Sequence, residues 1–247
     1  MISFEGKTVL ITGAASGIGK ACAMLMGSAG AALALSDINE EALAKLKAEL
    51  ESAGIRASIS YHGLDIADED ACVQTAAAAA AFHGRIDHLI HAAGIYPEAL
   101  VSDMQAADWQ RLMRINLDGT FYICRAVIKY LGEDSSIVNL ASVAAHRGSF
   151  AHAHYAASKG AVSSFSKSLA LELAPKTRVN VVSPGIIETP MTIDLLKQKG
   201  QVMLDSTPLR RFGTAQEVAG GIAFLCSPLA RFVTGETLHI NGGLYIV

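Results

Sequence analysis

The chain has 247 residues, 51% of them hydrophobic and 17% charged, with a formal net charge of −3. That length supports a full core in one large domain or two small ones. A mildly acidic balance without a Lys/Arg block excludes a nucleic-acid surface, which needs clustered positive charge, and no apolar stretch approaches a membrane span.

The opening MISFEGKTVLITG lacks a basic segment followed by an apolar core and cleavage site, so no leader peptide is expected. The four cysteines, Cys22, Cys72, Cys124 and Cys226, are scattered without C-x-x-C spacing. They read as reduced thiols of a cytoplasmic protein, with neither a zinc site nor a disulfide framework.

In chain order, KTVLIT (7–12) reads as a first strand, apolar throughout as a parallel strand covered on both faces must be. It runs into TGAASGIG (12–19), which opens a helix over 17–29. Gly13, Gly17 and Gly19 allow a tight turn and close approach of the backbone to a pyrophosphate. Around Ser16 and Ile18 the helix start offers unpaired N–H groups and a positive dipole end. A second strand (31–36) ends at Asp37, whose carboxylate can accept from both ribose hydroxyls of a dinucleotide and would repel a 2′-phosphate. With Ser16 and Ile38 beside it and no Arg or Lys in the neighbouring sequence, NAD is expected over NADP.

A helix (40–52), a third strand (57–62), an alanine-rich helix (69–82) and a fourth strand (86–92) follow. One long helix is expected over 108–131, then a fifth strand, SIVNLAS, over 136–142. The next helix (153–174) carries Tyr155 and Lys159 four positions apart, hence on one face. A free phenol titrates near 10, too high for a base at neutral pH, and an adjacent ammonium favours the phenolate. A sixth strand (178–183), a helix (215–226) and a final strand (237–240) complete the alternation. Between them the segment at about 188–212 is weakly periodic, with one short amphipathic piece (193–199), and is expected to form a lid. Repeated βαβ units without a linker predict a single-domain, doubly wound α/β fold over 1–247, of Rossmann type. Its sheet is expected to be mostly parallel and seven-stranded, with helices on both faces.

The T-G-x-x-x-G-x-G turn together with Y-x-x-x-K resembles the short-chain dehydrogenase/reductase family. The resemblance implies a catalytic set of Asn116 (in RINLDGTF), Ser142, Tyr155 and Lys159. Ser142 would orient a carbonyl and Asn116 would help hold a water in a proton relay from the lysine. Read from the residues alone, Ser142 is equally a turn cap and Asn116 a satisfied helix amide. By the same resemblance Asp65 and Ile66 contact adenine, Tyr155 and Lys159 also hold the cofactor, and Pro184, Gly185, Ile187 and Thr189 pass beside nicotinamide. The family's N-N-A-G is HAAG here. Ala93 and Gly94 keep their cofactor role, while His91 either packs or contacts the cofactor through its backbone.

The C-terminal TGETLHINGGLYIV is similar to bacterial β-ketoacyl-carrier-protein reductases, implying a homotetramer and a 3-oxoacyl thioester substrate. Against a carrier protein, Glu133 and Asp134 stand where those relatives are basic, leaving Lys176 and Arg178 as a partial basic patch near the active-site entrance. The rival readings are an NAD-dependent dehydrogenase of a small secondary alcohol, polyol or sugar, and a non-catalytic dinucleotide-binding regulator. His146, His152 and His154 read as pocket lining or surface, and the chemistry needs no metal.

Overall fold

Seven strands form one sheet in a computed structural model that describes residues 2–247, apart from the side chains of residues 194, 195, 198 and 199. The strands are β1 (Thr8–Thr12), β2 (Ala32–Asp37), β3 (Ile59–Gly63), β4 (Ile86–His91), β5 (Leu131–Leu140), β6 (Thr177–Pro184) and β9 (Thr237–Ile240). A separate pair, β7 (Ile187–Glu188) and β8 (Gly213–Thr214), lies between β6 and β9 in the chain. The large sheet runs β3-β2-β1-β4-β5-β6-β9, and every neighbouring pair is parallel. The order reverses between β1 and β4, where Thr12 is in register with His91. Ligands of open α/β sheets bind beyond the strand ends at such a reversal.

Crossover helices cover both faces. On one side α1 (Gly17–Ser28), α2 (Glu40–Ser52) and α9 (Ala215–Cys226) share a core with Val9, Ile11, Leu33 and Leu35. On the other, α3 (Glu69–His83), α5 (Gly119–Val127) and α7 (Ala153–Leu173) close over Leu10, Leu89, Ile137 and Val179. The alanine run of α3 buries Ala76 and Ala79 completely, and these small side chains let α3 pack closely on α5.

Three elements differ from expectation. The long helix over 108–131 is broken into α4 (Ala106–Met113), a π turn (Arg114–Asp118), α5 and a 3₁₀ turn (Ile128–Tyr130). The fifth strand begins at Leu131, five residues early, because the polar GEDS stretch continues the backbone of the strand past a register irregularity. The amphipathic piece at 193 grows to a helix, α8 (Ile193–Ser206). This segment leaves and rejoins the domain through the β7–β8 pair. Its return is fastened where Thr214 and Glu217 cap α9 reciprocally and Arg211 pairs with Glu217.

Candidate active site

Beyond the ends of β1, β4, β5 and β6 lies a cleft of about 470 Å³, within the range of small-molecule sites. The turn after β1 floors one end. Gly13 has φ +66, and a Cβ there would come within 2.7 Å of the Ala93 nitrogen. Gly17 has φ +51, and its missing Cβ leaves room beside Thr189. Only glycine allows both the left-handed backbone and the close approach of this turn to the Ala93–Gly94 wall. Asp37, at the end of β2, braces the turn. Its Oδ2 accepts from the Ala15 N–H at 3.1 Å and its Oδ1 from the Asn39 N–H at 3.0 Å.

Of the residues singled out in the sequence, Gly13, Ser16, Gly17, Ile18, Gly19, Asp37, Asp65 and Ile66 line this end of the cleft. Ala93, Gly94, Ser142, Tyr155, Lys159, Pro184, Gly185, Ile187 and Thr189 line the rest. His91 and Asn116 do not.

His91 is 1% exposed, with Nδ1 at 2.7 Å from the Thr12 hydroxyl and Nε2 without a partner. Burial, reinforced by the Lys159 charge, pushes its pKa down to about 3, so it is a neutral packed ring. Asn116 sits in the π turn, a distortion that often accompanies functional positions. Its Oδ1 accepts from the Ile95 N–H at 2.9 Å and its Nδ2 donates to the Ile95 carbonyl at 3.0 Å. Both ends of the amide are thus spent on the chain that follows Gly94.

Tyr155 and Lys159 share the inward face of α7. The Lys159 ammonium donates to the Leu140 carbonyl at 2.8 Å, and burial brings its pKa down to about 8. Tyr155 moves the opposite way from expectation. Burial raises the phenol to about 12, opposed by its hydrogen bond with Ser142, and Tyr96 adds to the rise. Lys159 stands 5.8 Å from the ring centre, and its charge is directed to Leu140. The phenol therefore carries its proton at neutral pH, and the lysine does not by itself make it a base. Ser142 lies just past β5, where its hydroxyl also accepts from the Ala144 N–H at 3.2 Å, capping α6 (Ala144–Arg147).

None of the three histidines lines the cleft; His152 and His154 are buried, and His146 is half-buried. His152 is buried and stacks on Tyr96 with ring centres 3.9 Å apart, and Tyr96 meets Tyr155 edge-on at 4.6 Å. His154 is fully buried with both ring nitrogens unpartnered, and His146 packs against His239 and Tyr245. Among the described residues no three His, Cys, Asp or Glu side chains gather as a metal site.

The structure adds Thr12, Ile38, Ile95, Arg111, Ile115, Pro190, Met191 and Thr192 to the lining. Ile115 and Met191 adjoin recognised motifs, whereas nothing in the sequence marks Arg111. Lys176 and Arg178 are absent from the cleft. They flank the start of β6, whose far end supplies Pro184 to it, so they are no part of the entrance.

A dinucleotide turn at the sheet reversal, with a Ser–Tyr–Lys set facing it, defines a nicotinamide-dependent oxidoreductase. The family model described as Enoyl-(Acyl carrier protein) reductase matches residues 13–245, and the chain belongs to the short-chain dehydrogenase/reductase family. Its members carry out hydride transfer at a carbonyl or CH–OH carbon with a nicotinamide dinucleotide, and this chain is an oxidoreductase of that type.

It is 41% identical over 245 residues to the 3-oxoacyl-(acyl-carrier-protein) reductase FabG of Thermotoga maritima, spanning 98% of this chain and 99% of the relative. The Escherichia coli enzyme of the same name is 35% identical over 256 residues, with full coverage of both. Among solved structures, a Brucella melitensis protein described as Short-chain dehydrogenase/reductase SDR:Glucose/ribitol dehydrogenase is 49% identical. It superposes with a TM-score of 0.96, covering 100% of this chain and 99% of that one.

Proposed function

We propose that the protein reduces a 3-oxoacyl thioester to the 3-hydroxy product with NADH, the acyl group being carried on acyl carrier protein or a comparable thiol. The observation that carries this reading is the Ser142, Tyr155 and Lys159 set lining the cleft together with the glycine turn, and the names of the relatives support the reductive direction. A phenol that keeps its proton is a general acid, which carbonyl reduction needs. The substrate class is supported by the names of the Thermotoga maritima and Escherichia coli relatives.

The glycine turn fits a dinucleotide, because its residues line the cleft where α1 begins and its unpaired N–H groups lie. Gly13, Ser16, Gly17, Ile18 and Gly19 would hold the pyrophosphate. Asp37 would hold the adenosine ribose, and the absence of a neighbouring cation in sequence supports NAD over NADP. Asp65 and Ile66 would flank adenine, Ala93 and Gly94 the central backbone, and Pro184, Gly185, Ile187 and Thr189 the nicotinamide. His91 contributes only through its main chain. Bound nicotinamide supplies the hydride that reaches the carbonyl carbon.

In this reading Ser142 donates to the substrate oxygen and Tyr155 delivers its proton there as charge develops. Lys159 holds the nicotinamide ribose and returns a proton to the phenol. Asn116 keeps the Gly94–Ile95 wall against Lys159: a Cβ at Gly94 would lie 3.2 Å from Asn116 Oδ1 and 3.6 Å from Lys159 Nζ. The segment 188–212 acts as the lid, contributing Pro190, Met191 and Thr192 to the cleft. Exposed Phe121, Leu171 and Phe232 support a homotetramer, and four buried thiols suit a reducing cytoplasm.

A second reading, NAD-dependent oxidation of a small polyol, sugar or secondary alcohol, is favoured by the description of the Brucella melitensis structure. Family membership and the complete Ser142, Tyr155 and Lys159 set stand against a non-catalytic regulator. Purified protein should oxidise NADH with an acetoacetyl thioester faster than it reduces NAD with ribitol, glucose or cyclic alcohols. The reverse ranking selects the second reading, and preference for NADPH overturns the role given to Asp37.

A further inference from the structure

Lys176 and Arg178 belong to a second cavity, at the opposite pole of the sheet. From Arg178 to Pro184 the strand covers roughly 20 Å at about 3.3 Å per residue. At the N-terminal ends of β1, β4 and β6 a cavity of about 360 Å³ is lined by Lys7, His88, Lys176, Arg178 and Arg231, with Glu5 and Asp134. Four permanent cations thus face two carboxylates in a chain whose overall charge is −3.

Local structure accounts for part of this charge. Arg178 donates to the carbonyls of Leu225 at 2.7 Å, Val233 at 3.4 Å and Ser227 at 3.5 Å, which seats it at the C-terminal end of α9. No carboxylate pairs with it among the described residues. Lys7 lies 3.3 Å from Asp87, but that buried carboxylate is shared with Arg85 at 3.1 Å and with the Thr8 N–H at 2.9 Å. Lys176 and Arg231 have neither an ion-pair nor a side-chain hydrogen-bond partner among the described residues. Burial disfavours a proton on His88, whose ring is 2% exposed in the cavity wall; Asp87 favours one, and Lys7 and Arg178 act against it. Capping explains Arg178 but leaves Lys176 and Arg231 gathered beside it without a counter-charge.

We propose that this cavity binds a phosphoryl dianion, either inorganic phosphate or the phosphate of a small monoester, between Arg178, Lys176 and Arg231. The excess of two positive charges matches a dianion, and a guanidinium held in place by carbonyls keeps N–H groups for a tetrahedral oxyanion. The volume takes phosphate with part of an ester.

The test is calorimetric titration of the full-length protein, with NAD saturating so that the cleft's own pyrophosphate turn is occupied. Inorganic phosphate and glycerol 3-phosphate are the two ligands. Saturable binding of either by about 10 mM is expected, and the tighter of the two identifies the source. Lys176→Gln with Arg231→Gln should weaken binding at least about tenfold and leave turnover unchanged. In the unsubstituted protein, phosphate should move the His88 imidazole titration upward by NMR. No saturable binding, or binding indifferent to the double substitution, overturns the proposal.

Discussion

Lys159 donates its ammonium to the Leu140 carbonyl at 2.8 Å and stands 5.8 Å from the centre of the Tyr155 ring. Two residues four apart on α7 therefore share a face without sharing a hydrogen bond. Burial acts on them in opposite senses, raising the phenol to about 12 and lowering the ammonium to about 8. The site thus holds a neutral acid beside a cation that is costly to bury.

That cost makes Lys159→Met informative. With its folded pKa below the ordinary 10.5, the buried ammonium destabilises the protein fully below about pH 8, and the penalty fades as pH rises from 8 towards 10.5. The shift corresponds to about 3 kcal/mol at most, offset in part by the Leu140 carbonyl left without its donor. The variant should be inactive yet at least as stable as the parent at pH 7. Its advantage should shrink by pH 10 in denaturant titrations at both pH values. A variant markedly less stable at pH 7 contradicts the account.

Tyr155→Phe removes the proton donor and its hydrogen bond with Ser142, while the ring keeps its edge-on contact with Tyr96. Turnover should fall by about 10²–10⁴, with dinucleotide affinity by fluorescence titration and the melting temperature nearly unchanged. Ser142→Ala should also lose turnover, and it further frees the Ala144 N–H at the start of α6, so a small drop in stability accompanies it. Near-normal activity in Tyr155→Phe removes the phenol from the mechanism.

Asp37 bonds both the glycine turn and Asn39, so its replacement should keep a small polar group. In Asp37→Ser the ratio of kcat/KM for NAD over NADP should fall by about ten- to a hundredfold. That is the scale of lost hydrogen bonds to a charged acceptor together with relief of repulsion towards a 2′-phosphate. Steady-state kinetics with both cofactors measures it, and an unchanged ratio means another residue selects the cofactor.

The parts of this site legible in the sequence depend on short-range spacing. Val9, Leu10 and Ile11 are apolar because both faces of β1 are covered. The Thr12–Gly19 turn and the Tyr155–Lys159 pair are local patterns whose geometry follows from strand-to-helix and helix periodicities. What was not legible depends on contacts between distant segments. A single π turn at Arg114–Asp118 leaves the apolar pattern of a helix almost intact, so the break between α4 and α5 is silent. Asn116 comes from a motif distant in sequence from Gly94 and Lys159, yet it lies beside Gly94 in space and spends its amide on Ile95, a pairing set where the π turn meets the chain after Gly94. Lys176 and Arg178 follow the catalytic helix in the chain, yet that helix runs back across the sheet and leaves them at the pole opposite the cleft.

Tyr96 is another product of tertiary meeting, and it acts on Tyr155 as a positioning residue. It stacks on His152, its hydroxyl lies 3.2 Å from Ser149 Oγ, and its ring meets Tyr155 at an interplanar angle of 78°. Edge-on aromatic contacts contribute about 0.5–1.5 kcal/mol. Tyr96→Leu should lower kcat about tenfold while leaving the KM for the dinucleotide alone, and Tyr96→Phe, which keeps the ring, should restore kcat. A fall in both parameters together, or no rescue by Phe, indicates only general loosening of the loop.

His91 ties stability to acid pH. Its ring is neutral in the fold, with a pKa near 3 against an ordinary 6.5. The unfolded chain therefore takes up a proton as pH falls through 6.5 while the folded chain does not. Stability from the neutral ring is whole above 6.5 and is lost progressively down to about 3. At pH 5 the loss is about 2 kcal/mol. Asn at this position does not titrate, so His91→Asn should flatten the decline between pH 7 and pH 5 relative to the parent. His88, buried with a pKa of about 4, contributes to the slope that remains, as do His62, His83, His146, His154 and His239, whose burial also lowers their pKa values. Urea unfolding at the two pH values measures the difference, and an equal decline in parent and variant would mean that His91 accepts its proton without unfolding.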